Sequence, residues 1–161
     1  MATLTVTINE SVTLNGRERG SEITMDVDSI TQVMHRIVSV PSDSGSTATQ
    51  TTIANFRTAV TTADSAMDDD DVRYARVTNL DASNAVTLNL QLAANGDTDA
   101  STNASVLLEA GKTFIINKAV GAAAVDDDAA TAIVSLVDIE SIIAVNDNAA
   151  DVDIEVFVAS V

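Results

Sequence analysis

Val152-Asp153-Ile154-Glu155-Val156-Phe157-Val158 sets Val152, Ile154, Val156 and Val158 on one side of an extended chain and Asp153, Glu155 and Phe157 on the other. Val86-Thr87-Leu88-Asn89-Leu90-Gln91-Leu92 repeats the pattern with leucine and valine alternating against threonine, asparagine and glutamine. A repeat of two residues is that of a strand with one buried face, and it is incompatible with an amphipathic helix. Working outward, Thr3 to Ile8, Ile23 to Val27, Gln32 to Val40, Val72 to Val77, Phe114 to Asn117, Ala132 to Val137 and Ile139 to Val145 also read as strands. Ile53 to Val60 reads as a short strand or a helical turn, with strand the better fit, and Asn95 to Asp99 as the start of a polar loop. In the segment ending at Pro41, Val33, His35 and Ile37 face one way and Met34, Arg36, Val38 and Val40 the other. About ten strands with turns every eight to twelve residues predict an all-β fold, an antiparallel β-sandwich or jelly-roll-like body.

Asn15-Gly16 opens a turn that runs on through Arg17, Glu18, Arg19 and Gly20, and this reads as a hairpin with a loop longer than the tightest type. Val72 to Val77 and Val86 to Leu92, joined by a turn over 79–84, read as a second hairpin. Asn146-Asp147-Asn148 reads as the turn between the last two strands. Ser42 to Thr52 is a polar, Ser/Thr-rich stretch of the composition of a loop or linker. It suggests an N-terminal strand group or arm with linker over 1–52 and a sandwich body over 53–161, unless 1–161 forms one continuous domain.

The 161 residues suffice for one domain with a core of its own. Hydrophobic residues make up 46% of the chain but aromatics only 2%, namely Phe56, Tyr74, Phe114 and Phe157, so the core should be aliphatic. Pockets that recognise small molecules draw heavily on aromatic side chains, which disfavours that class of function. The 24 acids outweigh 8 bases for a net charge of −16, and no base follows Lys118. A surface of that sign repels phosphate backbones, which argues against direct nucleic-acid binding. No run of roughly 18 apolar residues is present, so no helix that spans a membrane is expected.

The chain has no cysteine, no tryptophan and a single histidine, His35. With no thiol and no serine motif beside it, His35 reads as a packed or surface histidine, and no catalytic residue is assigned. Asp97-Thr98-Asp99-Ala100-Ser101 opens like a calcium loop, but Thr102 stands at the position that needs glycine and Leu108 at the one that needs glutamate. The acidic runs Asp68–Asp71 and Asp126–Asp128 read as solvated turns, so neither a metal site nor a cofactor is expected. An enzyme is not expected either. Arg36, Arg73 and Arg76, with Tyr74, are the candidates for an interface that grips a partner's carboxylates. For Arg73 the ordinary alternative is a local ion pair with the neighbouring aspartates.

Several phrases taken in order, Thr13-Leu14-Asn15-Gly16, Val33 to Pro41, Asp71 to Asp81, Leu107-Leu108-Glu109-Ala110-Gly111-Lys112-Thr113-Phe114 and Asp153 to Val158, resemble small virion structural proteins of tailed bacteriophages, including capsid decoration or cement proteins. The resemblance implies an all-β protein located on a virion, bound to the major capsid protein or another virion protein and to copies of itself, a homotrimer being the simplest assembly. The phrases are strand and turn signatures and carry no functional residue. The competing reading is a receptor- or carbohydrate-binding β module of a phage tail, or another head, neck or tail component.

Overall fold

The computed structural model describes residues 1–43, 45, 47–57, 66–93, 102–124 and 136–161. The polar loop read at 95–99, the acidic run at 126–128, and parts of the strands read over 53–60 and 132–137 lie outside them. The chain is all β, as the alternation predicts, and its body is two sheets packed face to face. One has four strands in the order β11 (Thr113–Ile116), β8 (Val72–Asn79), β13 (Val152–Ser160) and β5 (Gln32–Val40). The other has the order β10 (Thr102–Leu108), β9 (Val86–Leu92), β12 (Ile139–Asn146), β6 (Thr49–Arg57) and β7 (Met67–Asp68). All pairings are antiparallel except that of β6 with the two-residue β7 at the sheet edge, which is parallel.

The period of two places the core. Val152, Ile154, Val156 and Val158 of β13 are sealed from solvent and face Leu88, Leu90, Ile142 and Ile53 of the opposite sheet. Phe56 is the one aromatic among the largest fully buried side chains, so the interior is aliphatic. Such a core depends on close packing of branched side chains.

Apart from the one read over 132–137, of which residues 132–135 lie outside the described ones, the strands identified from sequence are present, but their pairing differs from the expectation at two joints. β8 and β9 do not form a hairpin, because β8 lies between β11 and β13 while β9 lies in the other sheet between β10 and β12. β12 and β13 likewise lie in different sheets. In both places the turn carries the chain across the sandwich. A buried asparagine stands at each corner: Asn79 Nδ2 donates to the carbonyls of Asn84 (2.8 Å) and Leu108 (3.3 Å). Asn146 Nδ2 donates to Val40, Pro41 and Ala150 at 3.1, 3.1 and 2.9 Å. Each Oδ1 also accepts the amide two residues on, from Asp81 and Asn148 respectively, in an Asx turn.

Residues 2–30 build a ribbon separate from the two sheets. β1 (Ala2–Glu10) pairs with β4 (Ser21–Ile30) from Leu4↔Val27 to Glu10↔Ser21, and β2 (Thr13–Leu14) with β3 (Arg17–Glu18) continues the register to the tip. Asn15 at φ 52° and Gly16 at φ 72° form the two-residue turn with both centres left-handed, so the hairpin has the tightest loop rather than the longer one expected. At the base, Asp28 and Ser29 together oppose Thr3, and Ser29 takes φ 65°, a bulge that bends the ribbon where it meets the body. β5, expected to group with this arm, belongs to the sandwich through its full-length pairing with β13. Of the stretch read as a linker over 42–52, Thr49 to Thr52 belong to β6, and the part before Thr49 joins the two sheets, with the amides of Ser42 and Asp43 bound to Asp151 and Asn148.

Candidate interaction surface

The outward face of the four-stranded sheet and the ribbon form the site. Alternation along the strands turns Val33, His35 and Ile37 of β5, Asp153, Glu155 and Phe157 of β13, Tyr74, Arg76 and Thr78 of β8, and Thr113 and Ile115 of β11 outward. Pairing sorts them into rows across the sheet: Val33, Ala159 and Tyr74; His35, Phe157, Arg76 and Ile115; Ile37, Glu155, Thr78 and Thr113; then Ser39 and Asp153.

Of the first two rows, Ala159, Tyr74, Phe157 and Ile115 lie under the arm, while Val33 and His35 on the edge strand β5 stay exposed. Ile30 of the arm, Tyr74 and Ala159 form a second buried cluster, with Leu4, Val6, Val27, Ile115 and Phe157 packed against it. Phe157 stands between the rings of Tyr74 and His35, with centroid distances of 6.1 Å and 5.8 Å. A groove of about 350 Å³ runs between Leu4–Ile8 and Tyr74, Arg76, Ile115 and Phe157. Burial raises the Tyr74 phenol above its ordinary pKa, and the charge of Arg76 opposes that rise.

Glu155 organises the next row. Its Oε1 lies 2.8 Å from His35 Nε2 and its Oε2 2.7 Å from Arg76 Nη1. Arg76 Nη1 also donates to Thr78 Oγ1 at 2.6 Å, and Thr78 Oγ1 lies 3.0 Å from Thr113 Oγ1. The hydrogen bond with His35 above all, and then that with Arg76, hold the Glu155 carboxyl below the ordinary range. It is therefore a fixed negative charge through the neutral range, oriented by neighbours on two other strands.

No protein-family model, curated protein or solved structure matches this chain.

The four residues singled out from sequence divide in two. Tyr74 and Arg76 are neighbours on the outward face, Tyr74 buried under the arm and Arg76 partly exposed beside it. Arg36 points inward, where its Nη2 donates across the sandwich to the Ile53 carbonyl at 2.8 Å and its Nε is buried without a partner among the described residues. Arg73 is exposed, and its Nη1 donates to the carbonyls of Asp70 (2.6 Å) and Val72 (3.3 Å) rather than to a carboxylate. Among the nearby acids, Asp68 and Asp69 each accept the Asp70 amide, at 3.1 and 3.0 Å, so these carboxylates close a single 3-10 turn over Asp69–Asp71.

The arm was missed as part of the site. Its sequence signal lies in the pairing of Leu4, Val6 and Ile8 with Ile23, Met25 and Val27 on one face, opposite Thr5, Thr7, Thr24 and Asp26. Ile8, Val12, Leu14 and Ile23 are 37 to 58% exposed, so the apolar stripe runs beyond the part the body covers.

Proposed function

We propose that this chain is a virion structural protein of the tailed-phage kind, a decoration or cement subunit that stabilises a particle by lattice contacts. The observation that carries this reading is the ribbon. An isolated two-stranded hairpin is marginal in water, and this one extends past its own body with aliphatic side chains exposed on it. A protein that maintains such an arm needs a neighbour to cover it, and regular assemblies provide one at every copy.

The remaining surface supports the same role. Net charge of −16 disfavours nucleic acid and suits an outer surface that must stay in solution. The aromatics are spent on packing: Phe56 is in the core, Phe114 packs against it, and Tyr74 and Phe157 lie beneath the arm. That leaves little for a sugar-binding groove and weighs against the carbohydrate-binding alternative.

Purified chain should therefore add to phage capsids or tails lacking it, giving regularly spaced extra density by electron microscopy. Absence of added density on both heads and tails would sink the reading, and specific capture on a glycan array in its place would favour the receptor-binding module.

A further inference from the structure

The tip of the arm has two unlike faces. Leu14 pairs with Arg17, and the Arg19 amide donates to the Val12 carbonyl, so Val12, Leu14, Arg17 and Arg19 share a face opposite Thr13 and Glu18. The Glu18 carboxylate is turned into the ribbon, where its Oε1 accepts the amides of Val12, Arg19 and Gly20 at 2.9, 3.1 and 2.8 Å. These bonds, led by that from Gly20, hold its pKa down. Glu18, between the two arginines in sequence, is thus occupied by backbone, and among the described residues neither the Arg17 nor the Arg19 guanidinium has a carboxylate partner. The tip presents exposed aliphatic carbon beside two unneutralised cations, in a chain that has only 8 bases against 24 acids.

The complement lies on the same molecule, out of use. Below the rows that the arm covers, the outward face of the four-stranded sheet continues into Ile37, 62% exposed, with Ser39, Asp153 and, at the end of β8, Leu80, 47% exposed. The Asp153 carboxylate is exposed and, among the described residues, has no side-chain partner. The covered and uncovered rows belong to one continuous face. In its covered part, the face already binds a length of this arm through Leu4 and Val6.

We propose that the distal arm of one copy docks on the uncovered rows of a second copy, Val12 and Leu14 against Ile37 and Leu80, with Arg17 and Arg19 meeting Asp153. The contact is head to tail, so the second copy's own arm stays available for a third, and the interaction closes a ring or extends a row. It requires no particle, and so stands apart from the virion reading.

Sedimentation velocity of the full chain at about 0.1 M salt, where charges beyond about 10 Å are screened, tests it. The wild type should self-associate. The double variant Arg17→Glu/Arg19→Glu should weaken association at least about tenfold, since like charges then face each other. Asp153→Arg alone, on the far side of the contact, should do the same. Joining all three substitutions should restore association, because the charges are exchanged rather than removed. A wild type that stays monomeric overturns the proposal, as does association indifferent to the arginines or a loss that Asp153→Arg does not rescue. Circular dichroism and melting of each variant keep a folding defect from passing as a broken contact. Particle binding, scored separately by microscopy, leaves the virion reading to stand or fall by itself.

Discussion

Asn146 has no solvent exposure and satisfies four backbone groups, donating to three carbonyls and accepting the Asn148 amide. The three carbonyls come from the end of β5, its following proline and the approach to β13, so one side chain ties a strand end to the crossing between sheets. Asn146→Ala would bury those acceptors unpaired, at a cost on the order of 1–3 kcal/mol for each group left unsatisfied. We expect a loss of about 3 kcal/mol, read as a lower urea midpoint at unchanged slope. Asn9→Ala on the exposed arm, which gives up one bond to Glu22, should stay within about 0.5 kcal/mol. Parity along the strand placed Arg36 on one side with Met34, Val38 and Val40, whereas Asn146 was read as part of the turn that follows its strand. The period of two shows that a polar side chain faces the core. It does not show which distant carbonyls will meet it there, so Arg36 looked as free for an interface as Arg76.

The arm depends on a junction that tolerates no side chain. A Cβ on Gly20 would lie 1.8 Å from the Glu10 carbonyl oxygen and 2.7 Å from its carbon, and backbone cannot yield as a flexible side chain does. Gly20→Ala should therefore break the pairing between β1–β4 and the tip while leaving the sandwich intact. Hydrogen exchange should accelerate at 10–20, with the melting temperature of the body moving by no more than about 3 °C, roughly the equivalent of 1 kcal/mol in a chain this size. Loss of the whole cooperative transition would instead make the arm part of the folding core. Element existence was readable because each strand carries its own alternation. Partner choice was not, because Val72–Asn79 and Val86–Leu92 look the same whether the turn between them folds β9 beside β8 or carries it to the opposite sheet. The same limit drew the arm's boundary at the polar stretch 42–52. The bulge at Asp28–Ser29 marks the real change of direction, and no composition shift accompanies it. Asn15-Gly16 did carry its turn type in the two residues themselves, and only the polar run after it disguised a loop of minimal length.

Charge acts on the molecule as a whole, and it sets two effects against each other when copies meet. Residues 1–30 hold two bases and five acids, and the remaining 131 hold six bases and nineteen acids, so both parts are negative and every approach between copies begins with repulsion. That repulsion is long-ranged: the screening length falls from about 30 Å at 0.01 M to about 10 Å at 0.1 M salt. The contact of Arg17 and Arg19 with Asp153 is short-ranged and weakens only when screening reaches the separation of the pair itself, near 3 Å at about 1 M. Self-association should then rise between roughly 0.01 and 0.1 M sodium chloride and fall again toward 1 M, whereas the melting temperature of isolated chains should rise across the first interval without a matching fall. Light scattering and melting curves on the same samples separate the two. A steady decline of association from the lowest salt would mean that local ion pairs outweigh the net charge, and a steady rise to the highest would leave Ile37, Leu80, Val12 and Leu14 as the whole of the attraction.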